Sequence, residues 1–358
     1  ADPVRDRPYR AHMAGAVDRL LRSDEPSVRW KVRVHALGED PQSRAVRRLQ
    51  GEIRRSPRVR RLLDGHAALR PGTYAKWRGG HWVLAALADL GYPPGDDALV
   101  PLRDAVLKTW LAGRYLRDAE VTDDSGWPLT AVPVVDGRHR RCASQQGNAL
   151  LSVVRLGLED QRAARLVERL LHWQWPDGGW NCDRVPEARS SSVYETLLPL
   201  RALAAFADVH QDPAARAAAD RAAQVLLERR LLYRRSTGRL IRGEWSKLHY
   251  PVYWYYDVLA ALKGLTEAGH LDDPRCRDGI DLLVSKQLPD GGWPAEASFY
   301  RGVGEGQQHV EHVDWGGVDR HRMNEWVTAD ALAVLAAAGA RNPGWAAVRV
   351  RQGPCWGP

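Results

Sequence analysis

The densest run of reactive side-chain types is His249–Asp257, which reads His-Tyr-Pro-Val-Tyr-Trp-Tyr-Tyr-Asp. Five aromatics, a histidine and a carboxylate share nine residues. Aromatic faces attract cations through their quadrupoles, so Tyr253, Trp254 and Tyr255 suit the wall of a cavity in which positive charge develops. Burial raises the pKa of a carboxyl by desolvation, which suits Asp257 to proton donation, with His249 beside it. The same residues would also serve as aromatic core packing around a buried hydrogen-bonding anchor. A second segment holds Asp314, in Val-Asp-Trp-Gly-Gly, and then Asn324, Glu325 and Asp330. Asp314 and Glu325 are candidate auxiliary acids, and Asn324 is a candidate substrate contact with Thr328 one helical turn on. The structural alternative is that Asn324 caps a helix and Asp330 pairs with an arginine, because a buried carboxylate needs a partner. A third segment, Arg138–Arg141, leads into a helix start, where basic side chains and backbone N–H groups favour an anion. Arg140 and Arg141 are therefore candidate head-group contacts, or part of a solvated basic loop. Trp77 and His81, in Trp-Arg-Gly-Gly-His-Trp, are expected at the same end of the molecule.

Helices must position these groups. Stretches apolar on nearly all sides alternate with stretches that carry a charged face. His81–Leu90, Ser144–Leu156, Ser191–Val209, Tyr253–Ala268 and Asn324–Ala338 are of the first kind. Asp97–Leu111, Gln161–Gln174, Pro213–Arg230 and Pro274–Gln287 are of the second. Helices apolar all round are buried, and helices with one polar face lie outside. Before them, up to about Leu63, short amphipathic helices are expected, with Ser23-Asp24-Glu25-Pro26 as a start signal. Tyr115–Arg141 is a long irregular insertion, a feature more often functional than neutral. Strand signals are nearly absent, so the chain reads as all-α.

One phrase occurs twice. Gln174–Trp180 reads Gln-Trp-Pro-Asp-Gly-Gly-Trp, and Gln287–Trp293 reads Gln-Leu-Pro-Asp-Gly-Gly-Trp, 113 residues further on. Proline presets one turn residue and glycine accepts positive φ, so each copy is a device for tying helix ends together. Trp180 and Trp293 are expected to occupy equivalent places outside any cavity. Gln-x-x-x-Gly-x-Trp resembles the QW motif of the squalene–hopene and oxidosqualene cyclases, whose wider superfamily includes the β subunits of protein prenyltransferases. The resemblance implies a single α/α toroid, with an inner and an outer ring of helices, over residues 71–345. Residues 1–70 would pack on it and 346–358 would form a tail. It also implies a short squalene-cyclase-like enzyme that cyclises or isomerises a hydrophobic, isoprenoid-type substrate by acid catalysis. Asp257 would be the donor, with Asp314 or Glu325 assisting. A non-catalytic ligand- or partner-binding toroid and a toroid enzyme of non-terpene chemistry are the alternatives.

Two departures from that superfamily stand out. The Asp-x-Asp-Asp acid motif is missing, since Asp96-Asp97 and Asp123-Asp124 are pairs without the pattern. Cys182-Asp183 and His249 do not match the order and spacing of the prenyltransferase zinc ligands, so neither metal nor cofactor is expected. The four cysteines, Cys142, Cys182, Cys276 and Cys355, show no metal-type pairing and no disulfide density. With the polar, charged start of the sequence and no membrane-length apolar run, they point to the cytoplasm. A net charge of +8 comes mainly from arginines spread along amphipathic helices. No nucleic-acid-binding signature accompanies it, so a hydrophobic small molecule is the expected partner and nucleic acid is not. A peripheral contact with an anionic membrane surface stays open.

Overall fold

The computed structural model describes residues 14–69, 71–118, 131–303 and 309–339. The expected tail at 346–358, the Asp123-Asp124 pair and the middle of the Tyr115–Arg141 insertion lie outside them. The described chain is all-α apart from short two-stranded ribbons. After a helical stretch at 14–21 (α1) come α2 Pro26–Lys31, α3 Arg44–Arg54, α4 Pro57–Leu69, α5 Gly80–Leu90 and α6 Val100–Trp110. Then follow α7 Ala143–Arg155, α8 Gln161–Trp173, α9 Val193–His210, α10 Pro213–Leu227, α11 Val258–Glu267, α12 Arg277–Ser285 and α13 Glu325–Gly339. Helix starts obey local chemistry. Pro26 opens α2 while the Glu25 side chain accepts from Ser27 N–H, and Asp160 and Asp212 cap α8 and α10 through their carboxylates.

The two classes of helix separate as their patterning requires. Every residue of α7 from Ala143 to Val154 is buried, whereas α8 buries only the stripe Ala163, Leu166, Val167, Leu170 and Trp173. The buried helices pack in succession: α5 on α7, α7 on α9, α9 on α11 and α11 on α13. The return path runs from α13 to α2 and from α2 to α5. The amphipathic helices lie against them, α6 on α5 and α7, α8 on α7, α10 on α9 and α12 on α11. Gly147 sets the tightest crossing. A Cβ there would come within 2.6 Å of Pro199 N, so α7 and α9 touch backbone to backbone.

The repeated phrase builds the same turn twice. Gln174 Nε2 donates to Gly178 O at 2.7 Å and Gln287 Nε2 to Gly291 O at 2.9 Å. The Trp180 indole N–H reaches back to Leu170 O at 3.0 Å, and that of Trp293 to Leu283 O at 2.7 Å. The Trp180 and Trp293 backbone N–H groups donate to the hydroxyls of Thr196 in α9 and Thr328 in α13. Gly178 and Gly291 carry φ of 98° and 86°, which L side chains resist. Each phrase thus joins an outer helix to the next inner one, with its indole buried.

Strands are confined to loops. Val134–Val135 (β1) pairs antiparallel with Arg138–His139 (β2) across Asp136-Gly137, both at positive φ as a tight hairpin demands. Pro294–Ala295 (β3) pairs with Asp319–Met323 (β4). One helix is shorter than its pattern. Tyr253–Ala268 was the expected span, but α11 begins at Val258, because Tyr253 sits at φ 54° and Asp257 is the N-cap. The aromatic half of that segment is a loop. No helix among the described residues is long and apolar enough to cross a membrane.

Candidate functional site

The five buried helices surround a cavity, and each contributes to its wall. The empty space is about 940 Å³, counting the part open to solvent. Its middle is aliphatic: Ala85 from α5, Leu151 from α7, Leu197 and Leu198 from α9, Ala260 from α11 and Val327 from α13. The loop before α11 supplies His249, Tyr250, Val252, Tyr253 and Tyr255.

The floor is charged. Lys31 Nζ lies 2.6 Å from Asp89 Oδ2 and 3.0 Å from Asp330 Oδ1. Lys263 Nζ lies 2.7 Å from Asp89 Oδ1 and 2.9 Å from Asp330 Oδ2. Two ammonium groups and two carboxylates therefore close a four-membered box, and Tyr250 OH donates to Asp89 Oδ2 at 2.9 Å. Alongside, Arg201 grips Glu267 at 2.6 and 2.9 Å, and Arg155 meets the same carboxylate at 2.7 Å. Burial works against the Asp89 charge, but Lys263 and Lys31 outweigh it and hold the carboxyl well below its ordinary range. Burial likewise opposes the Lys263 charge, which Asp330 and Asp89 more than offset, so its pKa is raised. Asp89 is therefore ionised and Lys263 charged. Beneath the floor a second hollow shares Ala88, Asp89, Arg155, Lys263 and Asp330 with the first.

The aromatic residues named from sequence meet at the roof. Trp77 stacks on Tyr253 at 3.8 Å, Trp254 on Tyr255 at 4.5 Å, and Tyr255 on Phe299 at 4.2 Å. Tyr253 and Tyr255 line the cavity, while Trp77 and Trp254 stand behind them. Asp257 is fully buried but accepts three hydrogen bonds, from Ala260 N (2.7 Å), His249 N (2.9 Å) and His249 Nδ1 (3.1 Å). It clamps the loop to the start of α11, and no oxygen is left over to serve as a donor toward the cavity. Asp314 is exposed and closes its own turn by accepting from Gly316 N at 2.8 Å. Glu325 accepts from Ser23 Oγ at 2.8 Å, away from the cavity wall. Asn324 caps α13 through Trp326 N and Val327 N, and its amide donates to Trp315 O at 2.8 Å. Asp330 finds lysines, not the expected arginine.

His81 is buried and takes a fixed tautomer. The Trp110 indole N–H donates to Nδ1 at 3.1 Å, which leaves the proton on Nε2 facing Gln145 Oε1 at 3.1 Å. Burial pushes its pKa down to about 3. Arg140 donates to the carbonyls of Asp183 (2.7 Å), Val185 (3.3 Å) and Val135 (3.3 Å), pinning the insertion. Arg141 lies with its guanidinium 4.1 Å over the Tyr115 ring. Beside it Cys142, Cys182 and Glu195 converge, their ligand atoms all within 4.8 Å of one another. Burial pushes the Glu195 carboxyl up, although Ser144 N and Oγ donate to it at 3.0 and 2.9 Å. Asp118, His139 and His172 form a second, more exposed group, and neither group contains Asp183 or His249.

The site residues missed in the sequence are Lys31, Asp89, Glu195 and Lys263. The signal that singled out Asp330, a charge inside an apolar run, marks Asp89 in α5, Glu195 in α9 and Lys263 in α11 equally. No protein-family model matches this sequence, and no curated protein matches it.

Proposed function

We propose that this chain is a single-toroid, squalene-cyclase-like enzyme that admits a hydrophobic, isoprenoid-type small molecule to its central cavity and cyclises or isomerises it through a cationic intermediate. The succession of buried helices, four of the five backed by an amphipathic one, supports the toroid. The observation that carries the chemistry is an aliphatic and aromatic wall around a central cavity, with its charged groups confined to paired lysines and carboxylates at the floor. A cation developing there would meet the aromatic rings of Tyr253, Tyr255 and Trp315, above a floor where Asp89 and Asp330 offset the charges of Lys31 and Lys263. A carboxylate held ionised by two lysines, as Asp89 is, cannot donate the initiating proton. The initiating acid then belongs at the rim, near the first turns of α7 and α9. Asp257 acts as a positioning residue for the His249–Tyr256 loop. A non-catalytic ligand-binding toroid is the second reading, favoured by the structural partners that occupy Asp257, Asp314 and Glu325.

The test is mass spectrometry of small molecules extracted from purified protein, followed by incubation with squalene and with farnesol. A retained hydrophobic compound that is converted supports the enzyme. One retained but unchanged supports the binding reading. Ala260→Trp, which would fill the cavity, should abolish retention in a folded protein. Failure to retain any apolar compound would overturn both.

A further inference from the structure

Three elements far apart in sequence bring two thiols and a carboxylate together at the upper ends of α7 and α9. Cys142 is the N-cap of α7, Cys182 follows the first repeated turn, and Glu195 lies in the first turn of α9. Cys182 Sγ is 3.4 Å from Glu195 Oε1. In a tetrahedral zinc site with bonds of about 2.3 Å to sulfur and about 2.1 Å to oxygen, ligand sulfur and oxygen stand about 3.6 Å apart. Two ligand sulfurs stand about 3.8 Å apart in the same geometry. The three groups are therefore spaced for one ion with shifts of no more than about an ångström.

The supports are rigid. The turn Gln174–Trp180 anchors the Cys182 loop, and the Gly147–Pro199 contact fixes α7 against α9. Ser144 N and Oγ hold Glu195 Oε2, which leaves Oε1 directed at the thiols. Hydrogen bonds of this kind orient the carboxylate in metal sites. Arg141 gives a second, independent indication. It is only 9% exposed, and among the described residues its Nε and Nη2 have no hydrogen-bond partner. A water or anionic ligand on a bound ion is the kind of acceptor those N–H groups lack.

We propose that Cys142, Cys182 and Glu195 bind a zinc ion whose fourth position is open to water or a ligand. Two soft thiolates select zinc over magnesium or calcium, and three protein ligands with an open position are the arrangement of catalytic zinc. The ligands differ from Cys182, Asp183 and His249, the set weighed in the sequence. The site lies one helical turn from the cavity wall, since Asn148 of α7 and Leu198 of α9, four and three residues on from Ser144 and Glu195, line the cavity. Zinc there would supply Lewis acidity at the rim, where the proposed reaction requires an acid. The inference rests on that reading only for its purpose. Metal uptake is measured without substrate, so either can fail while the other stands.

The experiment is to purify the full chain without chelator, measure zinc, then strip it and titrate the reduced protein with Co²⁺. One equivalent should bind, with thiolate-to-cobalt charge-transfer absorption and d–d bands of tetrahedral intensity. Cys142→Ser and Cys182→Ser should lose the charge-transfer band, Glu195→Gln should bind at least tenfold more weakly, and Cys276→Ser should behave as wild type. Zinc should also protect Cys142 and Cys182 of the unmutated protein from alkylation, read by peptide mass spectrometry. That readout does not depend on a variant folding. No cobalt uptake by reduced protein, or uptake unchanged in Cys142→Ser, would overturn the proposal. So would a Cys142–Cys182 disulfide in protein that takes up no metal after reduction, which would make the pair a redox couple.

Discussion

His81 illustrates how a residue chosen for chemistry can be spoken for by its neighbours. Trp110 donates to Nδ1, so a second proton there would set N–H against N–H. The folded pKa of about 3 lies below the ordinary 6.5. A depressed histidine binds fewer protons folded than unfolded, so the stability it contributes is complete above pH 6.5 and is lost as pH falls toward about 3. The loss amounts to about 2 kcal/mol by about pH 5. Urea denaturation as a function of pH should show that slope, to which His35, depressed to about 4 by desolvation, adds its own, and His81→Gln should reduce it. Asp257 too is spoken for by hydrogen bonds to its neighbours. Asp257→Asn keeps an oxygen for Ala260 N but turns an amide N–H toward a donor of His249. It should lower stability by about 1–3 kcal/mol, seen as a lower melting temperature with or without ligand. An unchanged melting temperature would mean that the clamp carries no load. From the sequence, Asp257 was legible as a buried carboxylate, but its role depends on which N–H groups surround it, and spacing does not supply that.

The helices were the legible part. Their apolar and charged classes follow from periodicity, and the observed ends fall within a few residues of the expected ones wherever a capping side chain or proline marks the start. The exception is the stretch from Tyr253 to Asp257, where an aromatic-rich pattern suited to a buried helix forms a loop because Asp257 caps and Tyr253 takes positive φ. The repeated phrase yields a matched pair of tests. Trp180 and Trp293 have the same burial and the same indole bond, so Trp180→Ala and Trp293→Ala should each cost about 3–5 kcal/mol. Chemical denaturation of the two variants checks this, and a large asymmetry would mean that the two turns do not do equal work. Gly147 predicts a loss of another kind. A Cβ at that position meets Pro199 backbone at 2.6 Å, with no flexible side chain to give way. Gly147→Ala should therefore push α7 from α9 and destabilise by about 1–3 kcal/mol. It should also weaken cobalt binding, because Ser144 and Glu195 separate, whereas a surface Gly→Ala such as Gly113→Ala should not.

At the scale of the whole molecule, the charged floor is one of the ties between the N-terminal helices and the rest, and it was the part least visible in the sequence. Lys31, Asp89, Lys263 and Asp330 come from α2, α5, α11 and α13. Each looks like an isolated anomaly in its own helix, and only the closure of the fold shows that they answer one another. A box of two cations and two anions makes a specific prediction about coupling. Lys263→Met removes one cation and leaves two carboxylates sharing Lys31. Breaking a buried pair in this manner costs about 3–5 kcal/mol, so Lys263→Met should be severely destabilised. Removing a carboxylate in the same molecule restores the balance. Lys263→Met/Asp330→Asn retains the Lys31–Asp89 pair, at 2.6 Å the shortest of the four. The double variant should be more stable than Lys263→Met alone, with a coupling energy at the upper end of the 0.5–3 kcal/mol range typical of contacting residues. Urea denaturation of the two single variants, the double variant and the wild type closes the cycle. Additive losses would show that the four groups contribute separately, and that the floor is not the electrostatic unit that holds the Asp89 carboxyl well below its ordinary range.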